Sequence, residues 1–568
     1  MSTKAAHLIS VALGDSPADL LLKNARVINV FTGAIEKSDI VICGEAIAGI
    51  GKYDLAEKTL DLEGRFVAPG FIDGHTHLKS SMLDVGEYAR AVVPHGTTAI
   101  ITDLHEIANV CGLNGIYYIL EKSLNYPLDI FLMAPSCVPS THLETSGAVI
   151  KIEEIRELLR LKRCLGLGEV MNFPGVIKAD SQLLKKIALA KGKIVDGHAP
   201  GLRGKDLSAY VSAGIMSDHE SVSLEEAQEK LNNGMRLMIR EGSSEKNLKA
   251  LLPLVTDKTY RRCIFVVDDR SCSDLLEDGD IDAVVRKAIL NGLDPVRAIQ
   301  LATINTAEYF GLSGMGAIAP GYLANLIVLD NLNVLEVVKV FHRGKLVAEN
   351  GKALFSAKPE ITRRIDHTVH IKPFSLKALR LVSKNKTYPV IEVIPEQIIT
   401  HKRIKRIRIK SGFVEPDPKR DILKLAVVER HQATGNIGLG LVTGFGLKQG
   451  ALASSIAHDS HNVVAVGTTD QDIYAAIQAV QAMQGGLVVI KDRKIMACLP
   501  LPVAGLLSRK PLETVAASVA KLGMSARELG SDLPAPFATL SFLALPVIPE
   551  LRLTDLGLID VNLMKLIN

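Results

Sequence analysis

The chain has few cysteines, little net charge and no long apolar run, and each shortage closes off a class of protein. Its seven cysteines are an odd number scattered over 568 residues without a paired CxxC spacing, which argues against a secreted disulfide framework. Most read as buried apolar filler. The formal charge of +4 is small for this length, so a nucleic-acid surface is not the main business of the protein. No stretch reaches the roughly 20 apolar residues that cross a bilayer, and the opening Met1-Ser2-Thr3-Lys4 lacks the apolar core of a signal peptide. The expectation is a cytoplasmic protein with a small-molecule substrate and no nucleic-acid or membrane partner. A homo-oligomer is expected.

What is present is hydrophobic content, 47% of residues, enough to fill at least two cores. Residues 18–58 alternate apolar and polar in short runs broken by Gly and Asp turns, as a small sheet does. A second such patch begins at Ala324-Asn325-Leu326-Ile327-Val328-Leu329. The two patches predict one small β-sheet domain, residues 1–65 plus 318–356, closed by both ends of the stretch between them. That stretch, 66–317, repeats a short apolar strand followed by a helical segment. The strands predicted are 65–72, 98–102, 128–133, 164–168, 193–196, 214–217, 235–239 and 263–267, which is the count of a (β/α)8 barrel in an α/β protein. Beyond a charged, Pro-containing stretch, residues 370–568 read as a third, α/β domain. Its basic run His401 to Lys410 alternates Ile with cations and reads as the solvated face of a strand rather than a polyanion site.

The most informative segment is Pro69-Gly70-Phe71-Ile72-Asp73-Gly74-His75-Thr76-His77. Alternate residues of an extended chain share a face, so both imidazoles can point at one ion. Alone, His-x-His is two polar residues at a strand end. Its company is Glu169, His198, His219 and Asp268, each standing where a short apolar run stops. The six come from strands one, four, five, six and eight, always on the C-terminal side, where such barrels keep their chemistry.

Imidazoles with carboxylates and no cysteine suit manganese, ferrous iron or zinc. Six ligands exceed the needs of one four-coordinate ion, and a carboxylate such as Glu169 can bridge two divalent ions that acidify a water between them. Asp268 can ligate metal and shuttle a proton, while Asp269, pointing the other way, can accept a hydrogen bond from substrate. The plainer reading makes Asp268-Asp269-Arg270 a helix-capping turn.

The Pro69 to His77 motif, the strand-end ligands and the Gly316-Ala317-Ile318-Ala319-Pro320-Gly321 turn resemble the amidohydrolase superfamily. Closest in pattern is its adenine deaminase family. That resemblance spans nearly the whole chain, through Asp103 to Val110, Ala134 to Pro139, Glu144 to Gly147, Gly168-Glu169-Val170-Met171-Asn172 and His458-Asp459-Ser460-His461-Asn462. It implies hydrolysis of adenine, as the free base, to hypoxanthine and ammonia. It also implies that His75, His77 and Asp268 hold one ion, His198 and His219 the other, with Glu169 bridging where many superfamily members carry a carboxylated lysine. Manganese or iron is the implied metal. Asp268, Glu169 and Asp269 become the catalytic candidates, and Asp269, His105, Glu106, Glu241 and His461 those that read the purine.

His105-Glu106 can equally cap a helix, and the His458 to Asn462 cluster can be a surface turn. Two positions depart from the family pattern: Lys79 stands where a glutamate is common, and Asp280 where a histidine is. A cation at Lys79 repels an accessory ion, so no third metal position is expected. The competing readings are another metal-dependent amidohydrolase, since the fold does not fix the substrate, and a non-catalytic relative. An intact set of buried polar residues is costly to keep without metal, which disfavours the latter.

Overall fold

The computed structural model describes residues 2–358, 362, 365–395 and 397–567. At its centre are eight short parallel strands: β1 (Phe71–Asp73), β2 (Thr97–Thr102), β3 (Asp129–Pro135), β4 (Cys164–Val170), β5 (Ile194–Gly197), β6 (Ser217–Asp218), β7 (Arg236–Arg240) and β8 (Cys263–Val266). The first five form one parallel sheet in chain order and the last three another. The Met216 N–H donates to Val195 O (2.9 Å) where the sheets adjoin, and a parallel bridge joins Thr76 to Asp268 just beyond β1 and β8.

These strands are apolar on both faces, as parallel strands covered by helices must be. In β8, Ile264 and Val266 pack with Ile72, Ile101, Met133 and Met238 on one face. Cys263 and Phe265 join the larger cluster that includes the helix residues Val284, Val285 and Ile299 on the other. Alternation of side chains along the strand accounts for the two destinations.

The expected strand 65–72 is in fact two. Phe66–Pro69 leaves the parallel array and enters the nine-stranded composite sheet, parallel to Leu20–Ile28 and antiparallel to Leu326–Leu329. Gly70 is the crossing point, because a Cβ there would lie 2.4 Å from Thr98 Oγ1. Its N–H donates to Asn325 O in one sheet, and the next N–H, of Phe71, donates to Gly96 O toward the other (both 2.9 Å). Other strands shift by one to three residues. The largest consequence is at β4, which runs on to Val170 and so carries Glu169 inside the strand.

The chain beyond residue 365 builds an eight-stranded sheet in the order Thr400–Arg406, Thr387–Val393, Ile437–Thr443, Leu423–Val428, Val463–Gly467, Ala451–Ser454, Gly486–Lys491, Lys494–Pro500. Helix Asp470–Ala482 covers one face through Ala426, Val428, Val463 and Ala465. Leu425, Val427, Val464 and Val466 point the other way and join the same buried cluster as the helices around β1–β8. The basic run lies on the edge strand Thr400–Arg406 and the short strand Arg408–Lys410, with most of its side chains exposed. Lys402 pairs with Asp560 (2.7 Å) and Arg403 with Glu392 (2.6 Å). All seven cysteines are unpaired, and among the described residues no helix is long and apolar enough to cross a membrane.

Candidate metal centre

β1 ends at Asp73, and the chain continues extended through His75, Thr76 and His77 along the segment after β8. The Asp268 N–H donates to His75 O (2.9 Å) and the His77 N–H to Asp268 O (3.0 Å), so three of the predicted ligands are stitched together by backbone alone. Asp73 Oδ1 accepts from the backbone N–H of both His75 (3.2 Å) and Val267 (3.3 Å) and fixes the turn from below. Asp268 has φ = 60°, a left-handed conformation uncommon outside Gly, Asn and Asp. Its Oδ1 lies 3.2 Å from His77 Nε2 and 3.6 Å from His75 Nε2.

Glu169, near the end of β4, stands between that group and a second one. Its Oε1 is 3.6 Å from His77 Nε2, and its Oε2 is 2.7 Å from His198 Nδ1 and 3.4 Å from His219 Nε2. The His75 and His219 rings stack at 4.2 Å, closing the circle. All six predicted ligands are therefore brought together, and all but the part-buried His198 are almost fully enclosed. Four sets of donor atoms lie within 4.8 Å of one another: His75, His77 and Asp268; His75, Glu169 and His219; His198, His219 and Glu220; and His77, Asp103, His105 and Glu169.

The electrostatics suit a cation. Burial and the neighbouring His219 and His77 rings push His75 down to about 4, leaving a neutral imidazole. Its Nε2 is enclosed with no hydrogen-bond partner among the described residues, an expensive state for a ring nitrogen unless an ion accepts its lone pair. Burial would raise Glu169, but the His198 hydrogen bond and the surrounding histidines outweigh it and bring the carboxyl down to about 2. Burial works against charge on His219 too, yet Glu220 and Glu169 lift it to about 9. The pocket thus favours added positive charge, and its donors, imidazole nitrogen with carboxylate oxygen, are those of divalent manganese, iron or zinc.

Three participants escaped the sequence reading. Glu220 directly follows His219 and reaches both His219 Nε2 (3.3 Å) and His198 Nδ1 (3.7 Å). Arg240, the last residue of β7, pairs with Glu220 and donates to Asp268 Oδ2 (2.7 Å). Asp103, after β2, holds His105 Nδ1 at 2.7 Å and lies 3.6 Å from His77 Nδ1. Gly168 makes room for it, since a Cβ there would be 2.6 Å from Asp103 Cβ. The strand-end rule that picked out Glu169 applies equally to Arg240 and Asp103.

The purine-reading candidates scatter. His105 joins the cluster, 3.8 Å from Glu169 Oε1. Glu106 and Asp269 border the centre on the side of Lys79, whose Nζ is 2.7 Å from Glu106 Oε1 and 3.7 Å from Asp269 Oδ1. Ser80 Oγ also donates to Asp269. Glu241 points elsewhere: it accepts from the Leu248 N–H (2.9 Å) and pairs with Lys287. His461 is fully buried in the C-terminal region, its Nδ1 accepting from the Ala457 N–H (3.2 Å). Asp280, the second departure, is buried and accepts from Thr97 Oγ1 (2.7 Å), away from the six clustered ligands.

Comparison with known proteins adds the chain-wide context. An amidohydrolase family model matches residues 66–347, and a model of the adenine deaminase C-terminal domain matches residues 397–565. An adenine deaminase from Dehalococcoides mccartyi (strain 195) is 60% identical over 567 residues, covering 100% of this chain and 99% of that relative. "Adenine deaminase 2" of Carboxydothermus hydrogenoformans is 49% identical over 561 residues, covering 99% of this chain and 98% of the relative. The adenine deaminase of Clostridium acetobutylicum is 46% identical, covering 97% and 98%.

Proposed function

The chain belongs to the adenine deaminase family, and on that premise we propose that it hydrolyses adenine to hypoxanthine and ammonia at the histidine–carboxylate cluster. The observation that carries the reading is the convergence of His75, His77, Glu169, His198, His219 and Asp268, from five separate strand ends, on one enclosed space. We read the five- and three-stranded sheets as one (β/α)8 barrel closed at the Thr76–Asp268 bridge. Around it are a small sheet domain built from both ends of the barrel segment and a C-terminal α/β domain from about residue 370.

His75, His77 and Asp268 would hold one divalent ion and His198 and His219 a second, with Glu169 shared between them. Manganese or iron is the first choice, zinc the alternative. When bound, such ions supply the charge that makes water nucleophilic at neutral pH.

The protein's own groups do the rest. Deamination replaces the exocyclic C–N bond of adenine by a bond to a water oxygen, and the departing amine needs a proton as that bond breaks. Asp268 would take the proton from water and return it to nitrogen. Arg240 occupies Oδ2, so the oxygen available for that transfer is Oδ1, facing the histidines. Asp269 and Glu106 are acceptors for purine N–H groups. The free base in purine salvage is the proposed substrate and setting, and seven unpaired thiols favour a reducing cytoplasm.

The test is direct. Protein loaded with manganese or iron should carry about two ions per chain, the stoichiometry of a paired site. It should also release ammonia from adenine as hypoxanthine appears. Metal-replete protein that leaves adenine untouched would sink the proposal.

A further inference from the structure

Lys79 is a buried ammonium whose partners come from two ends of the chain. It sits in the short helix Leu78–Ser81 directly after the His-Thr-His segment, only 6% exposed. Glu106 and Asp269 both lie within ion-pair reach of its Nζ. Two carboxylates that would repel one another therefore share one cation. Nζ reaches Glu106 Oε1 at 2.7 Å and, from the C-terminal region, His458 Nε2 at 2.6 Å.

The direction of every hydrogen bond in this chain of contacts follows from donor chemistry. An ammonium has only donors, so His458 Nε2 must accept. The ring proton then resides on Nδ1, which donates to Ser541 Oγ (3.0 Å), and Ser541 in turn donates to Ala538 O (3.0 Å). The His458 ring stacks on Phe542 at 4.3 Å with 8° between planes, and its backbone N–H donates to Ser541 O (3.2 Å). Burial and the adjacent positive charge of Lys79 keep the imidazole neutral. One tautomer thus links Glu106 in the barrel to helix Pro536–Phe542 in the C-terminal region.

We propose that Lys79 and His458 are a positioning pair: the C-terminal region, acting through His458, fixes the Lys79 ammonium between Glu106 and Asp269 and so sets the spacing of the two carboxylates that read the purine. This rests on the reading of Glu106 and Asp269 as purine-binding groups. It makes the C-terminal region part of the substrate site rather than a separate appendage.

Two replacements of His458 separate positioning from packing. In His458→Gln the amide oxygen can take the place of Nε2 and still accept from Lys79. In His458→Asn the shorter side chain reaches only the Nδ1 position, keeping Ser541 and losing Lys79. With the full-length, metal-loaded enzyme, His458→Asn should raise KM for adenine about tenfold or more, as loss of a hydrogen bond to a charged group does. Its kcat and metal content should stay within about threefold, and His458→Gln should keep KM within about threefold, both margins below the effect of one such bond. Adding His458→Asn to Lys79→Met should cost nothing further, because the two act as a unit.

Equal KM values for His458→Asn and wild type would overturn the pair, whatever the melting temperatures, and so would a fall in kcat alone. Glu106→Gln and Asp269→Asn keep the two failures apart. If these variants leave KM unchanged, the purine-reading assignment itself has failed. If they raise KM while His458→Asn does not, only the positioning pair has.

Discussion

Asp218 and His219 are neighbours at the end of β6, both buried, and they belong to two very different clusters. Asp218 Oδ1 accepts from the Ala199 N–H (3.0 Å), and Oδ2 accepts from the Glu220 N–H (3.1 Å), Ser221 Oγ (2.8 Å) and Lys230 Nζ (2.8 Å). Lys230 spends its remaining donors on Ala199 O and Glu226 Oε1, both at 2.7 Å. Every charge there is matched within the protein. One residue later, His219 faces Glu169, Glu220 and His198 at 3.3–3.4 Å, and the adjoining His75 Nε2 has no hydrogen-bond partner among the described residues. Burial is the same; saturation is not. A saturated buried cluster is scaffold, whereas a half-saturated one of imidazoles and carboxylates is poised for a cation.

The comparison is sharpest where substitution should separate chemistry from stability. Asp268→Asn keeps the shape of the open cluster and removes the proton carrier, so kcat for adenine should fall on the order of 10² to 10⁴. Asn can still accept from Arg240, so thermal unfolding should shift less than in a scaffold variant; an Asp268→Asn protein that melts like one would erase the distinction.

Lys230→Met should do the reverse. It leaves Asp218 and Glu226 buried without their cation, at a cost of roughly 3 to 5 kcal/mol in stability. Denaturant unfolding reads this, and the folded fraction should retain near-normal kcat.

Arg240 tests the border between the clusters, since it touches Asp268 and Glu220 but lies outside the proposed ligand set. Arg240→Gln should lower metal affinity or activity by about 10- to 100-fold, the usual weight of an outer partner. Titration of the metal-stripped protein with manganese separates the two, and an unchanged affinity together with unchanged turnover would make Arg240 scaffold.

The smallest expected effect concerns Glu144, buried in the loop after β3 beside the C-terminal region. Burial, reinforced by the nearby Asp459, lifts its pKa to about 8. The folded-state value is above the unfolded one, so its stability contribution is full below the ordinary carboxyl range and is lost as pH rises through about 8. Against Glu144→Gln, the wild type should lose a few °C in melting temperature on the order expected for such shifts between pH 5 and 8.5. Parallel pH profiles of the two proteins would show that Glu144 is not the group titrating.

Local pattern carried the reading a long way because strand ends are local. His75 and His77 share a face by simple alternation, and Glu169, His198, His219 and Asp268 each mark the end of an apolar run. What was not legible depends on contacts between distant segments. The segment 65–72 looked like one strand because nothing in its own residues records that Asn325 waits on one side of Gly70 and Gly96 on the other. Glu220 and Arg240 are ordinary charged residues until Asp268 is brought beside them. Glu241 looked as eligible as Glu169 by position, but a free backbone N–H at Leu248 and the Lys287 ammonium claim its carboxylate.

The sequence by itself determined the alternation of apolar strands and helical segments, the chemical types standing at the strand ends, and the family to which they are similar. Those are one-dimensional properties, set by periodicity and spacing. Tertiary structure alone decided which buried charges are saturated and which are left open, and that His458 meets Lys79 across 379 positions of chain. Saturation depends on the count of donors and acceptors within about 3 Å, the reach of a hydrogen bond, and neighbours at that range are chosen by folding rather than by order along the chain.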